Sequence, residues 1–299
     1  MFFFCLMLAA TAGEVAWLPV DEINVRLLGP AAQNGPLVMI TNFGRDNSSL
    51  TLFDFTQGKA RTLDDGRLRI LMARPLPHEK GFAVIGTVTG VLYFIDGNGQ
   101  FQDQKRLRDL PGWEDSFRVR QACPGPDGTA YLTLFMARER ELLLGELDLT
   151  GLRLTLLANR PAHENHEQAW VANGDKIYFF DSDSGRIDRE DSAGFVAVET
   201  VRRGREPFRK ENPRPRRSPF HALLEAPLIG DGCIYFRLHL YRDAFGNKLP
   251  AKVTKTLALD DTGVTECEVL PYGSFQGQSL IFDWREGEFR LLSTPHACR

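Results

Sequence analysis

The sequence of 299 residues predicts an all-β protein built from a repeated unit. Val, Leu, Phe and Thr cluster in short runs, and Gly, Pro, Asp and Asn separate these runs. The chain has no long apolar stripes at the helical period. Short apolar runs that end at turn-forming residues are typical of proteins made of many short antiparallel strands.

One pattern recurs six times: an apolar run, then an Asp, then a Gly three or four positions later. The copies are LTLFDFTQGKA (50–60), VLYFIDGNGQ (91–100), LLGELDLTGLR (143–153), IYFFDSDSGRI (177–187), TLALDDTGV (256–264) and SLIFDWREGEFR (279–290). We expect the apolar run to be a buried strand and the Asp carboxylate to accept backbone N–H bonds in the turn. The Gly is expected to supply a positive φ.

The spacing of these copies predicts a β-propeller of six blades. The aspartates are Asp54, Asp96, Asp148, Asp181, Asp260 and Asp283. Their mean interval is about 46 residues, and a four-stranded blade takes roughly 40 to 50. Five or seven blades would also accommodate the uneven intervals. The last interval is too short for a whole blade, so we expect the N-terminal residues 14–28 to complete it, which brings the N- and C-terminal strands together to close the ring.

On these six repeats, the chain resembles the exported β-propellers of the YVTN, NHL and quinoprotein-like groups. The resemblance covers most of residues 36–293 and implies a rigid ring of blades with loops on two faces. Quinoproteins carry a Trp shortly after the turn Gly. The six repeats lack a Trp at that place, so no quinone cofactor is predicted.

Residues 1–12 are interpreted as a signal peptide, and residues 13–299 as a single propeller domain. Residues 2–12 carry no charge, and the sequence ATA at 10–12 fits a small-x-small cleavage site. The apolar segment is too short to span a membrane as a helix. We therefore expect a periplasmic or secreted protein without a transmembrane span. A buried first strand is the alternative.

Four cysteines would remain after removal of the leader: Cys123, Cys233, Cys267 and Cys298. An even number in an exported protein permits two disulfides. The spacings contain no C-x-x-C pair, so a zinc knuckle is not predicted. Separate buried thiols are the alternative.

A Pro-rich basic segment is the strongest charge feature of the chain. Its cations are Arg202, Arg203, Arg205, Arg209, Lys210, Arg214, Arg216 and Arg217. With two acidic residues it has a local charge of +6, so the rest of the chain, whose total is −3, carries −9. We interpret about 204–218 as an exposed insertion that binds a protein partner or an anionic ligand. A solvated segment without a partner is the alternative, and nucleic acid is not expected, because few aromatic residues accompany the cations.

Two groups of residues have the chemistry of metal ligands. His163 and His166, in the sequence HENHE, would bind Zn²⁺ or Cu²⁺ if a third ligand came from another blade. Asp181, Asp183 and Asp188 resemble the first half of a calcium loop, but the Gly and Glu that complete such a loop are missing. We interpret the aspartates as part of a turn. No cofactor is predicted, and Ca²⁺ or Zn²⁺ is the alternative.

The sequence contains no G-x-S-x-G, G-x-G-x-x-G or P-loop motif. We therefore expect an extracytoplasmic binding or protein-interaction module, including the case of a subunit in a larger assembly. The alternative is a metal-dependent hydrolase or lactonase with its site in the central channel. Ligands that converge there from distant blades would leave no local motif.

Overall fold

The computed structural model describes most of the strands and many of the turns between them. The described residues are 15–17, 28–43, 48–63, 73–162, 168–173, 176–181, 186–191, 194–200, 220–221, 228–230, 233–242, 248–260, 263–267, 270–283 and 288–292. Most of them lie in β-strands, which confirms the all-β class. The described part contains a 3₁₀ turn at Leu107–Asp109, and no helix in it has the length and apolar character to cross a membrane.

The first strand, β1 (Val15–Trp17), belongs to the last sheet of the chain. Sheet 1 contains β2 (Leu28–Asn34), β3 (Leu37–Phe43), β4 (Ser48–Asp54) and β5 (Lys59–Leu63). Sheet 2 contains β6 (Ala73–His78), β7 (Gly81–Gly86), β8 (Val91–Asp96) and β9 (Phe101–Arg106). Sheet 3 contains β10 (Phe117–Pro124), β11 (Thr129–Met136), β12 (Glu141–Asp148) and β13 (Arg153–Pro161).

Three further sheets follow. Sheet 4 contains β14 (Gln168–Asn173), β15 (Lys176–Asp181), β16 (Arg186–Asp191) and β17 (Gly194–Thr200). Sheet 5 contains β18 (Phe220–His221), β19 (Leu228–Gly230), β20 (Cys233–Arg242), β21 (Lys248–Asp260) and β22 (Gly263–Cys267). Sheet 6 contains β23 (Pro271–Phe275), β24 (Gln278–Asp283), β25 (Glu288–Leu292) and, as its fourth strand, β1.

The number of regular blades differs from the prediction of six. Among the described residues, five sheets have four antiparallel strands, each next to its neighbour in the order of a blade. Sheet 5 departs from this pattern, because β18 and β19 both pair with β20 and together take the place of one inner strand. The prediction of six equivalent blades is therefore wrong.

The N-terminal strand completes sheet 6, as the short last interval predicts. β1 pairs antiparallel with β25, with Val15 opposite Leu292 and Trp17 opposite Arg290. Strands from the two ends of the described chain therefore share one sheet. This pairing covers an edge of β25 that would otherwise be open.

Neighbouring sheets pack against each other in chain order. Contacts join β2 to β6, β6 to β10, β10 to β14 and β23 to β2. Sheet 5 contacts sheet 4 through β22 and β17, and it contacts sheet 6 through β19 and β23. The succession thus returns from the last sheet to the first, which is the arrangement of a β-propeller.

Each sheet buries both faces, because successive residues of a strand point to opposite sides. In β3, Met39 packs in the core between sheets 1 and 2. Its neighbours Val38 and Ile40 pack in the core that joins sheets 1, 5 and 6. All three are fully buried. This two-sided burial explains why such strands read as continuous apolar runs instead of alternating apolar and polar residues.

The repeated Asp does not mark the same strand in every sheet. It ends the third strand at Asp54, Asp96, Asp148 and Asp260, and the second strand at Asp181 and Asp283. The use of the last two as markers of a constant blade period is therefore wrong. In sheet 4 the third strand ends at Asp191, which lies 43 residues after Asp148. The uneven intervals between the repeated aspartates thus arise partly because the motif ends the third strand in some sheets and the second strand in others.

The turn aspartates accept backbone N–H bonds, as predicted. Oδ1 of Asp54 accepts the N–H groups of Thr56 and Gln57 at 2.8 and 3.0 Å. Oδ1 of Asp148 accepts the N–H groups of Thr150 and Gly151, both at 2.8 Å. The motif therefore encodes a local turn whose geometry needs no contact with another blade.

The Gly of the motif has two different roles. Gly58 and Gly99 have φ values of 62° and 67°, as predicted for the turn. In the third copy the prediction is wrong, because the positive φ of 53° belongs to Leu152. A Cβ on Gly151 would lie 2.4 Å from Oδ2 of Asp148. Gly151 is thus needed for space beside the carboxylate and not for its φ.

Cys123 and Cys233 form no disulfide, so the two disulfides that four mature cysteines would permit are not both formed. Cys123 is a buried thiol and Cys233 a half-buried one. Burial raises the pKa of the Cys123 thiol to about 12, which makes it unreactive at neutral pH. Cys298 lies outside the described residues.

The connection from sheet 2 to sheet 3, residues 107–116, packs against the outer strand of sheet 3. Leu107 and Leu110 are part of the core between these two sheets. The N–H group of Leu154 donates to the carbonyl of Pro111 at 3.0 Å. Gly112 has a φ of 84°, and a Cβ on it would lie 2.1 Å from the Leu154 carbonyl oxygen. The connection therefore fits this strand only with a Gly at that position.

Gly112→Ala should lower the free energy of unfolding by about 3 kcal/mol, because the new methyl group overlaps a hydrogen-bonded backbone. Gly128→Ala is the matched control, since Gly128 also has a positive φ of 76° but has open space around its Cβ position. Only backbone strain of about 1 kcal/mol is expected there. Urea denaturation measures both, and equal losses would show that the close approach is unimportant.

Candidate functional site

The strand register shows which residues lie together at one end of sheets 3 and 4. The end row of sheet 3 is Phe117, Met136, Glu141 and Pro161. The end row of sheet 4 is Gln168, Asp181, Arg186 and Thr200. The short connection 162–167 joins the two rows, and β10 packs against β14. Both rows therefore lie at the same end of the propeller, which we call the connection end.

The segments singled out by the sequence all attach at the connection end. The connection that contains His163 and His166 begins after Ala162 and reaches β14 at Gln168. The turn that contains Asp183 joins the ends of β15 and β16. The basic segment follows the last residue of β17. The register thus brings the attachment points of three sequence-predicted surfaces to one end of the molecule.

Most of the predicted site residues lie outside the described residues. They are Arg202, Arg203, Arg205, Arg209, Lys210, Arg214, Arg216, Arg217, His163, His166 and Asp183. Asp181 and Asp188 are described, in β15 and β16. Within the described ranges, no group of three or more His, Cys, Asp or Glu side chains is placed to hold a metal ion.

Asp188 belongs to the interface between sheets 3 and 4. Its Oδ2 accepts a hydrogen bond from Nη1 of Arg160 at 2.9 Å, and its side chain is only 2% exposed. Arg160 comes from β13, the outer strand of the neighbouring sheet. A calcium ion bound by Asp188 would have to displace this guanidinium. The position of Asp188 therefore gives no support to its role as a ligand beside Asp181.

Aromatic and acidic side chains surround the same arginine. The Arg160 guanidinium lies over the Phe179 ring, 4.3 Å from its centre, and Phe179 packs against Trp170 with ring centres 4.9 Å apart. Burial raises the pKa of Glu190, and the positive charge of Arg160 opposes this shift. Oε2 of Glu190 is buried without a hydrogen-bond partner. These contacts hold the two sheets together.

Sequence reasoning did not identify Arg160, Trp170 or Glu190. Arg160 and Asp188 are 28 residues apart and lie on different sheets. Neither belongs to the repeated motif, so no local pattern connects them. The ion pair between Arg160 and Asp188 can be recognised only once sheets 3 and 4 are packed against each other.

The fold is also that of known proteins. No family model matches the chain, and no curated protein matches its sequence. A protein of Bacteroides fragilis that is inferred to be exported superposes with a TM-score of 0.53 at 10% identity, over 93% of each chain. The luciferin-regenerating enzyme superposes with a TM-score of 0.49 at 10% identity, over 89% of this chain and 90% of that one.

A further solved structure is described as a β-propeller. It is the propeller domain of the Trilobed protease from Pyrococcus furiosus, with a TM-score of 0.41 at 12% identity, over 86% of this chain and 77% of that one. The strand order within the sheets and the contacts that close their succession show that this chain has the β-propeller fold. The resemblance to propellers predicted from the repeats is confirmed at this level. Identities this low show the fold and do not transfer an activity.

Arg160→Met should lower the free energy of unfolding by about 3 kcal/mol, because it leaves the Asp188 carboxylate buried without its partner. The double variant R160M/D188N should recover part of this loss, since the unpaired charge of Asp188 is then removed. Arg189→Met is the control, because Arg189 is exposed on the same strand as Asp188. Guanidinium chloride denaturation measures all three, and equal losses in R160M and R189M would contradict the role of the pair.

Glu190→Gln should stabilise the protein more at about pH 7 than at about pH 4. The folded pKa of Glu190 is raised, so the folded state binds more protons than the unfolded chain between the two pKa values. The stability linked to this group is therefore present below the unfolded pKa and is lost as the pH rises through the folded pKa. Glu139→Gln, at an exposed site, is the control. Denaturation curves that shift equally at both pH values would disprove this linkage.

Proposed function

We propose that the protein is an extracytoplasmic β-propeller that binds an acidic protein partner through the basic segment at its connection end. The observation that carries this proposal is the position of the attachment point. β17 ends in the same row as Gln168, Asp181 and Arg186, so the segment begins where other connections also emerge. Loops gathered at one end of a rigid scaffold are the usual binding surface of such folds.

Charge supports an acidic partner. The segment carries a local +6 on a chain whose remaining residues carry −9. Such an asymmetry attracts an anionic surface to one region and repels it from the rest, which orients the encounter. The leader-like residues 1–12 support an extracytoplasmic location, and a role as a subunit of a larger assembly follows from the same surface.

The scaffold is inferred to be a closed ring in which sheet 5, the irregular sheet, lies between sheets 4 and 6. The contacts of β22 with β17 and of β19 with β23 support this inference. A metal-dependent hydrolase would require a set of three or more ligands that includes residues outside the described part of the chain, such as His163 and His166.

Replacement of Arg214, Arg216 and Arg217 by Ser should weaken binding of poly-L-glutamate by on the order of tenfold. The loss should be larger at about 50 mM than at about 200 mM NaCl, because salt screens exposed charges. The control replaces Lys59, Arg61 and Lys80, three exposed cations of sheets 1 and 2, and should bind like the wild type. Biolayer interferometry gives the affinities. A triple variant that binds like the wild type at both salt concentrations would refute the proposed surface.

A further inference from the structure

Two arginines at the start of β10 form no ion pair with any acidic residue that the structure describes. Arg118 and Arg120 are exposed, while Phe117, Val119 and Gln121 are buried. Arg118 follows the end-row residue Phe117, and Arg120 lies two residues further on, so both are in the half of β10 that begins at the connection end. These two guanidinium groups form a local positive charge on one strand, which would attract an anion.

Arg118 is held in place by backbone carbonyls. Its Nη1 donates to the carbonyl of Asp115 at 2.7 Å and to that of Phe117 at 2.8 Å. The described residues offer no acceptor to its Nε or Nη2. One side of the guanidinium is thus anchored, and its remaining donors are available to an oxyanion, which a guanidinium binds with two parallel hydrogen bonds.

Arg120 is the extra residue of a β-bulge. Val119 pairs with Leu134 and Gln121 with the adjacent Thr133, so Arg120 has no partner on β11. A bulge redirects the side chain of the inserted residue and is often found beside a functional site. The Arg120 guanidinium lies over the Phe135 ring, 4.0 Å from its centre. Stacking fixes the plane of the group and leaves its N–H edge free to donate.

The surroundings of Arg120 favour an anion. Burial lowers the pKa of Arg120, and no acid of the described residues offsets the effect; an arginine nevertheless stays charged at neutral pH. This stretch of β10 therefore carries several N–H donors and an uncompensated positive charge. An oxyanion would satisfy the charge and at least part of the donors.

We propose that Arg118 and Arg120, with Phe135 as the stacking platform, form a binding site for the carboxylates of an acidic polypeptide. This inference rests on the proposed function in one respect, that the partner is acidic. It adds a second point of contact at the connection end, on a rigid strand. Two contacts on one partner raise the affinity through effective concentration, provided that a single ligand reaches both.

Hexaglutamate, titrated calorimetrically into the whole protein, tests this site. Arg118→Gln and Arg120→Gln should each raise the Kd about tenfold, the loss expected for one charge-assisted hydrogen-bonding group. Arg120→Lys keeps the charge but loses the stacked fork, and should still bind more weakly than the wild type. Arg138→Gln is the matched control: Arg138 is an exposed cation in the turn after β11, at the same end of sheet 3. Its Kd should change less than about twofold.

Several results would overturn the proposal. They are no binding of hexaglutamate by the wild type, equal losses in R138Q and R120Q, or an R120K variant that binds like the wild type. Inorganic phosphate is the second probe, and binding of phosphate at least as tight as that of hexaglutamate would exclude a polypeptide as the ligand. Thermal unfolding of each variant separates a folding defect from lost binding, and R120K covers the case in which R120Q fails to fold.

The two proposals fail in distinguishable ways. If the basic segment is not the interface, the triple serine variant binds poly-L-glutamate normally while R118Q and R120Q still lose affinity for hexaglutamate. If the arginine site is wrong, R118Q and R120Q bind like R138Q while the triple variant remains weakened. The same purified proteins serve both comparisons.

Discussion

Both faces of each sheet are apolar, so a single sheet cannot bury its own surface. Met39 on one face of β3 and Val38 on the other each need a neighbouring sheet. Removing each apolar side chain from water contributes about 1.5 to 3 kcal/mol, which is larger than the net contribution of a typical hydrogen bond. The repetition of two-sided sheets therefore requires that every sheet has a neighbour on each side. A closed succession meets this requirement without leaving an exposed apolar face at either end.

Polar contacts at the seams decide how the sheets are aligned. Between sheets 3 and 4, Oγ1 of Thr133 accepts the N–H group of Trp170 at 2.8 Å. Between sheets 1 and 6, the Gln33 side chain accepts the N–H group of Ser274 and donates to its carbonyl. Each such bond contributes about 1 kcal/mol at most but allows only one register between the sheets. Apolar burial thus brings the sheets together, and these bonds select the alignment.

The packing of β10 also affects how its two exposed arginines can bind a ligand. Arg118 and Arg120 lie on a strand whose neighbours are buried on both sides, so their positions change little when a ligand arrives. A preorganised pair of cations spends less free energy on ordering than a pair on a free loop.

Local chemistry made much of the fold predictable. The Asp in the turn after β4 binds the backbone within three residues, so its role depends only on neighbouring residues. The apolar runs, the turn signals and their mean spacing likewise predicted strands and the propeller. The pairing of β1 with β25 could be predicted as well, since the last copy of the repeat left a blade incomplete.

The tertiary structure decided what depends on partners distant in sequence. Asp181 ends the second strand of sheet 4, whereas the same motif ends the third strand in other sheets. The local sequence pattern does not distinguish these two positions. Asp188 looked like a calcium ligand in the sequence, but the neighbouring sheet supplies Arg160 to it. The bulge at Arg120 arises from its pairing with β11 and has no sequence signature. The sequence by itself thus determined the repeating unit, because short-range bonds encode it, whereas packing between sheets determined which charges are paired and which remain free.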